Sequence, residues 1–189
     1  ILFRQKPDTV HEGLIKTARA LQRIPLLRSA PGLWQYQHPM LRQTVLGIEF
    51  NNPVGLAAGF DKNFDMISLM KRVGFGYMTG GSVTALPCDG NPKPWFYRLP
   101  NSKSLVVHAG LPNPGVQRVV RTILQYPAKV FDDFPLVVSV AKTNSRETKG
   151  DDGAIEDYCA SLKLLEEGQA CQIYEINISC PNTCGGEPF

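Results

Sequence analysis

The sequence predicts an α/β fold built on a parallel sheet, preceded by a small helical lobe. Three observations carry that reading. From residue 45 onward, short apolar runs alternate with amphipathic helical patterns, an alternation that calls for crossover connections and hence parallel strands. Glycine-rich or polar clusters at 57–62, 80–84, 141–144 and 177–183 each follow an apolar run, which places them at strand C-terminal ends, where parallel α/β folds bind ligands. The first 44 residues carry seven Lys/Arg against Asp8 and Glu12, a net +5 in a chain whose total is +3.

Taken in order, Thr9 and Glu12 have capping-box spacing, and Val10, Leu14, Ala18 and Leu21 recur at helical intervals until Pro25. This predicts a helix over 9–23 whose opposite face, with Lys16, Arg19 and Arg23, is basic. Leu26, Leu27, Trp34 and Tyr36, scattered around Pro31 and Pro39, are too irregular for one long helix. Residues 1–44 therefore read as a helical lobe and 45–189 as the body. In the body, 54–58 reads as a buried strand, 64–73 as a helix, 77–79 as a strand and 105–107 as a short apolar run. A helix at 116–124, a strand at 136–140, a helix at 154–167 and a strand at 173–178 complete the pattern. Four βα units leave bare sheet edges, so the chain is expected to be half of a larger unit.

The composition, 43% hydrophobic and 20% charged over 189 residues, suits one globular core. Apolar runs are only a handful of residues long, against the roughly 20 needed to span a bilayer. The chain opens at Ile1 without a signal-peptide pattern, so a targeting segment is expected to be absent or removed. Five cysteines without a CxxC pair or a nearby metal-spaced histidine point to no metal and to a reducing compartment. The basic lobe suits an anionic surface or a solvated helix face. It lacks the interleaved aromatics of a nucleic-acid module, so no nucleic acid is expected.

The clusters have their own chemistry. Ala57, Ala58 and Gly59 leave room for a flat or phosphorylated ligand to approach the backbone, with Lys62 as a cation just beyond. Gly80, Gly81 and Ser82 offer N–H groups and a hydroxyl to oxygen atoms, although a Gly-Gly pair also serves as a plain turn. Asn177 and Asn182 bracket Cys180 and Pro181. Their amides both donate and accept and can fix a planar ligand, and Cys180 can act as base or nucleophile or merely fill a loop.

Together these motifs resemble the dihydroorotate dehydrogenases, flavoproteins of pyrimidine synthesis. The most specific pieces are the runs at 52–63, 74–76, 81–84, 90–94 with Arg98 and Leu99, and 177–183. The resemblance implies a (β/α)8 TIM barrel, of which this chain supplies the first four units, holding FMN and oxidising dihydroorotate to orotate. By position it makes Ala57, Ala58, Lys62, Gly81, Ser82, Ser139 and Asn177 flavin contacts, and Lys62, Asn177 and Asn182 substrate contacts. It makes Cys180 the base that removes the C5 proton while C6 delivers hydride to flavin N5.

Within that family, soluble members have a cysteine base and no lobe. Membrane-associated members have the lobe, use serine, and pass electrons to quinone through a tunnel in it. This chain joins the lobe to Cys180. A tunnel needs many residues and a base only one, so the resemblance favours the quinone type, with His11 and Arg98 at the tunnel. It also favours peripheral association with the cytoplasmic face of a bacterial inner membrane or with a mitochondrial inner membrane. A free thiol titrates near ~8.5, so a cysteine base becomes available at modestly alkaline pH. The chain departs from the family pattern at Val107 and Ser139, where asparagines are usual, and His108 is a candidate replacement contact. It also ends at Phe189, before the family's second half, which is expected as a missing segment or separate fragment. The alternatives are a flavoprotein acting on another reduced pyrimidine and a non-catalytic half-barrel binding module.

Overall fold

The computed structural model describes residues 4–22, 24, 32, 35–146, 148 and 150–183. Arg23, the apolar Leu26, Leu27 and Trp34, and the chain end from Cys184 to Phe189 lie outside the described residues. No helix is long and apolar enough to cross a membrane among the described residues.

Helix α1 (Pro7–Gln22) begins two residues earlier than the sequence pattern suggests, because Pro7 fixes a helical φ at no hydrogen-bond cost in the first turn. Asp8 sits at its positive end and Arg19 at its negative end. A tight hairpin follows, β1 (Gln43–Val45) against β2 (Ile48–Phe50). Its turn holds Leu46 and Gly47 at φ 51 and 79, the two left-handed positions of a hairpin whose twist matches its strands. The sequence reading did not anticipate it.

The body follows as β3 (Gly55–Leu56), α2 (Ile67–Val73), β4 (Tyr77–Val83), β5 (Phe96–Leu99), β6 (Ser104–Val107), α3 (Val116–Ile123), β7 (Leu136–Val140), α4 (Asp151–Glu167) and β8 (Ile173–Ile176). Strands β3, β4, β7 and β8 form one parallel four-stranded sheet in that spatial order. The expected α/β class is therefore observed. The apolar run at 105–107 lies outside this sheet, as β6 of an antiparallel hairpin with β5.

Two boundaries differ for identifiable reasons. The strand expected at 77–79 runs on to Val83, so Gly80 and Gly81 are strand residues rather than a following turn. A Cβ on Gly80 would lie 2.2 Å from the ring of Phe64, a side chain with no solvent exposure. The glycine is there to admit that ring. The helix expected from 64 starts at Ile67, because Asp61 turns the chain first. Its carboxylate accepts the N–H of Asp65 at 3.0 Å and of Met66 at 2.7 Å.

The core lies between the sheet and α2, α3 and α4, where Met70, Met78, Val119, Ile123, Leu136 and Leu165 are buried. Helix α1 is fastened to this body at both ends. Asp8 accepts the backbone N–H groups of Trp95 (2.9 Å) and Phe96 (3.4 Å), Glu12 pairs with Lys93, and Arg98 donates to the Gln5 carbonyl. At the other end Arg19 pairs with Asp65, whose carbonyl also accepts from Gln22 at 2.8 Å. Part of the helix's basic face is thus spent on the body.

Candidate active site

The C-terminal ends of β4, β7 and β8 converge on one hydrogen-bonded chain. Ser82 Oγ and Ser139 Oγ lie 2.9 Å apart, and the side-chain amide of Asn177 donates to Ser82 Oγ at 2.8 Å. Parallel pairing sets this up, since Gly81 stands opposite Ser139, and Ser139 opposite Glu175. Gly81, at φ 106, has no room for a side chain, because a Cβ would meet the Ser139 carbonyl at 2.6 Å. From the helix side, the buried Tyr158 hydroxyl donates to the Asn177 carbonyl at 2.7 Å.

Ala57 is exposed, Ala58 is half-buried, and a Cβ on Gly59 would meet nothing within 4 Å. The first strand therefore ends in an open ledge of backbone, tied to the second by the Gly59 N–H to Gly81 carbonyl bond of 2.8 Å. Lys62 follows on the same loop. Burial pushes its ammonium below the ordinary lysine range, against a smaller upward pull from Cys180. The ammonium also lies 5.9 Å from the centre of the Trp95 ring. Burial drives the Asp61 carboxyl upward, opposed by the N–H bonds from Met66 and Asp65.

A second group lies over the β5–β6 hairpin. Asn182 donates to the Val107 carbonyl at 3.1 Å, and its own carbonyl accepts from Asn91 at 3.1 Å. His108 Nε2 is 3.2 Å from the Asn91 amide nitrogen. His108 therefore stands beside the segment carrying Asn182, and Val107 takes part through its backbone.

A cavity of about 400 Å³ opens between α1 and these loops, lined by His11, Phe60, Lys62, Cys88, Trp95 and Phe96 among others. The His11 ring lies edge-on to Phe60 and tilted against Phe96, each at 5.8 Å. Burial, then Lys62, lowers its pKa, which favours the neutral imidazole. Arg98 does not line this cavity; it fastens the chain ahead of α1.

Residues 40–189 match the family described as dihydroorotate dehydrogenase. The chain belongs to the dihydroorotate dehydrogenase family. It is 36% identical over 186 residues to a dihydroorotate dehydrogenase (quinone) from Mycobacterium sp. (strain KMS), covering 98% of this chain and 50% of the relative. A dihydroorotate dehydrogenase (quinone) from Kineococcus radiotolerans is 38% identical, again over 98% of this chain and 50% of its own. The crystal structure of DHODH from Eimeria tenella in complex with ferulenol matches with a TM-score of 0.74 and 26% identity, over 96% of this chain and 46% of that one. The chain thus spans about half the length of the dihydroorotate dehydrogenases it matches.

Several residues that build this candidate site escaped the sequence reading as individuals. Asn113 is buried and accepts from the Thr84 and Gly115 N–H groups while donating to Thr84 Oγ1 and the Leu111 carbonyl. Asp157 accepts the Thr143 N–H at 2.8 Å and its hydroxyl at 2.5 Å. An acid and a tyrosine inside an amphipathic helix look like ordinary surface and core positions. The only available signal was that Asp157 and Tyr158 adjoin on the sheet-facing side of α4, where a carboxylate must find partners.

Proposed function

We propose that this chain is the N-terminal part of a quinone-type dihydroorotate dehydrogenase, and that it forms half of a (β/α)8 barrel whose other half is a further segment or a separate fragment. The observation that carries the reading is the meeting of Ser82, Ser139 and Asn177 at the sheet's C-terminal edge. The family membership and the quinone-type relatives support it.

The residues fit FMN. The open ledge at Ala57, Ala58 and Gly59 leaves a flat ring system room, and Gly81 keeps the strand surface low beside it. Ser82, Asn177 and Lys62 would hold the cofactor with hydroxyl, amide and ammonium groups, while Ser139, read from the sequence as a flavin contact, has no solvent exposure and would act through the Ser82 hydroxyl it meets. When bound, FMN supplies the two-electron sink that takes the hydride from C6 of dihydroorotate.

This chain's residues do the rest. Asn177 and Asn182 orient the pyrimidine ring through their amides. Cys180 takes the C5 proton onto Sγ. His11 lines the cavity proposed for quinone beside the rings of Phe60 and Phe96, where its neutral imidazole can donate one hydrogen bond without a buried charge. Residues 1–44 form the lobe and 45–189 the half-barrel in this reading. The lobe's remaining cations, Lys6 and Lys16 among them, favour an anionic membrane surface and peripheral association with a bacterial or mitochondrial inner membrane.

A second reading is a related flavoprotein acting on another reduced pyrimidine. It is favoured by Val107, which offers only a carbonyl where the family has an amide, and by His108 beside it. The test is the visible spectrum of the full-length protein under anaerobic conditions, before and after dihydroorotate. A flavin band that bleaches is expected. A band that persists moves the substrate to another pyrimidine, and absence of a band makes the chain a non-catalytic half-barrel.

A further inference from the structure

A second groove, with a volume of about 650 Å³, lies between α1, α2 and α3. Among the described residues, it shares Arg19 alone with the cavity beside Lys62. We propose that this groove is a binding site for a phosphate group.

The charge arrangement carries the proposal. Among the described residues, three guanidinium groups, of Arg19, Arg118 and Arg121, line the groove against one carboxylate, Asp65. Asp65 is already paired with Arg19. Among the described residues, neither Arg118 nor Arg121 makes an ion pair or a side-chain hydrogen bond. They stand three apart on one face of α3, whose sequence contains no carboxylate at all, so their like charges repel with nothing on the helix to offset them.

The rest of the lining is of the same character. The Ser68 hydroxyl and the Gln125 amide face the groove with no protein partner among the described residues. Tyr126 donates its hydroxyl to the Phe64 carbonyl at 3.1 Å. Burial holds that phenol far above its ordinary pKa, so the wall stays neutral. Unspent guanidinium forks suit the paired oxygens of a phosphate, which the hydroxyl and amide can complete. The volume leaves space for the ester carrying the phosphate. That ester is either a small soluble phosphate or a phospholipid headgroup.

The test uses the full-length protein and an Arg118→Gln/Arg121→Gln double variant, both positions being exposed and outside the proposed catalytic residues. Inorganic phosphate is titrated by calorimetry. Co-sedimentation is measured with vesicles of phosphatidylcholine alone and of phosphatidylcholine with phosphatidylglycerol. The wild type is expected to bind one of these probes, and the double variant to bind it at least about tenfold more weakly, as loss of charge-assisted bonds implies. Arg118→Lys/Arg121→Lys should fall between them, keeping charge without the fork. Saturable phosphate binding identifies a soluble ester, and binding only to phosphatidylglycerol vesicles identifies the headgroup. Should the double variant misfold, Gln125→Ala supplies the same comparison with a smaller loss. Wild-type protein that binds neither probe, or variants that bind as tightly as wild type, would overturn the proposal.

Discussion

The Asn177 amide donates to the Ser82 hydroxyl across 2.8 Å, joining residues 95 positions apart. Ser82 Oγ is also 2.9 Å from Ser139 Oγ, which has no exposure to solvent. Ser82 is thus the middle of the chain, and its partners depend on it. Ser82→Ala leaves the Ser139 hydroxyl buried and unpaired and releases the Asn177 amide. The expected cost is about 1–3 kcal/mol, since an orphaned buried group loses its full solvation. Urea unfolding of the full-length protein measures it. Ser139→Ala should cost less, because Ser82 then keeps Asn177; equal losses would mean that Ser82 is not the anchor.

Gly80 and Gly13 should respond oppositely to alanine. A Cβ at Gly80 would strike the buried Phe64 ring at 2.2 Å, whereas one at Gly13, inside α1, would meet nothing within 4 Å. Gly80→Ala is therefore an overpacked core, expected to destabilise by about 1–3 kcal/mol. Gly13→Ala removes helix-interior backbone entropy and should stabilise by roughly 0.5–1 kcal/mol. Thermal unfolding of the two variants separates them, and a stabilised Gly80→Ala would show that the ring moves aside freely.

The sequence made the parallel sheet legible where side chains are buried on both faces, as at Leu136–Val140, every residue of which is buried. It also located the polar clusters, since glycine and asparagine after an apolar run have few other uses. What stayed hidden was long-range. Nothing local in Tyr77–Val83 announces that its glycines remain in the strand, because the reasons are Phe64 on another loop for Gly80 and the Ser139 carbonyl on the neighbouring strand for Gly81. The β5–β6 hairpin was equally obscure, since Ser104–Val107 is exposed at every position. Its exposed apolar residues neither alternate nor sit in the parallel sheet, so periodicity could not assign their neighbours. Asn91 illustrates the same limit within the site: it belonged to a recognised motif, but its bonds to His108 and Asn182 depend on segments 17 and 91 residues away.

The proposed base is tested by two substitutions at Cys180. Cys180→Ala should leave flavin binding unchanged and lower turnover by the roughly 10²–10⁴-fold that positioned proton transfer contributes. Cys180→Ser keeps an atom able to accept the proton, but a hydroxyl is a much weaker acid than a thiol, so the rate–pH profile should move to higher pH. Steady-state turnover across pH, with flavin content measured by absorbance, gives both results. Unchanged turnover in the alanine variant would place the base elsewhere.

Lys62 should trade stability for function. Burial lowers its folded pKa below the ordinary value, and Cys180 only partly opposes this. Between the folded pKa and about 10.4, the unfolded chain holds a proton that the folded chain has released. Stability of the wild type therefore rises with pH across that window. Below the folded pKa, the native state carries the full penalty of a partly buried ammonium. Lys62→Met removes the charge and keeps an apolar side chain, so at neutral pH it should unfold at higher urea than the wild type. The difference should shrink as pH climbs through the window, while dihydroorotate turnover is lost at every pH, the cost expected of a charge kept for binding rather than for folding. A variant less stable than wild type throughout would mean instead that the Trp95 ring face and Cys180 more than repay the ammonium's desolvation.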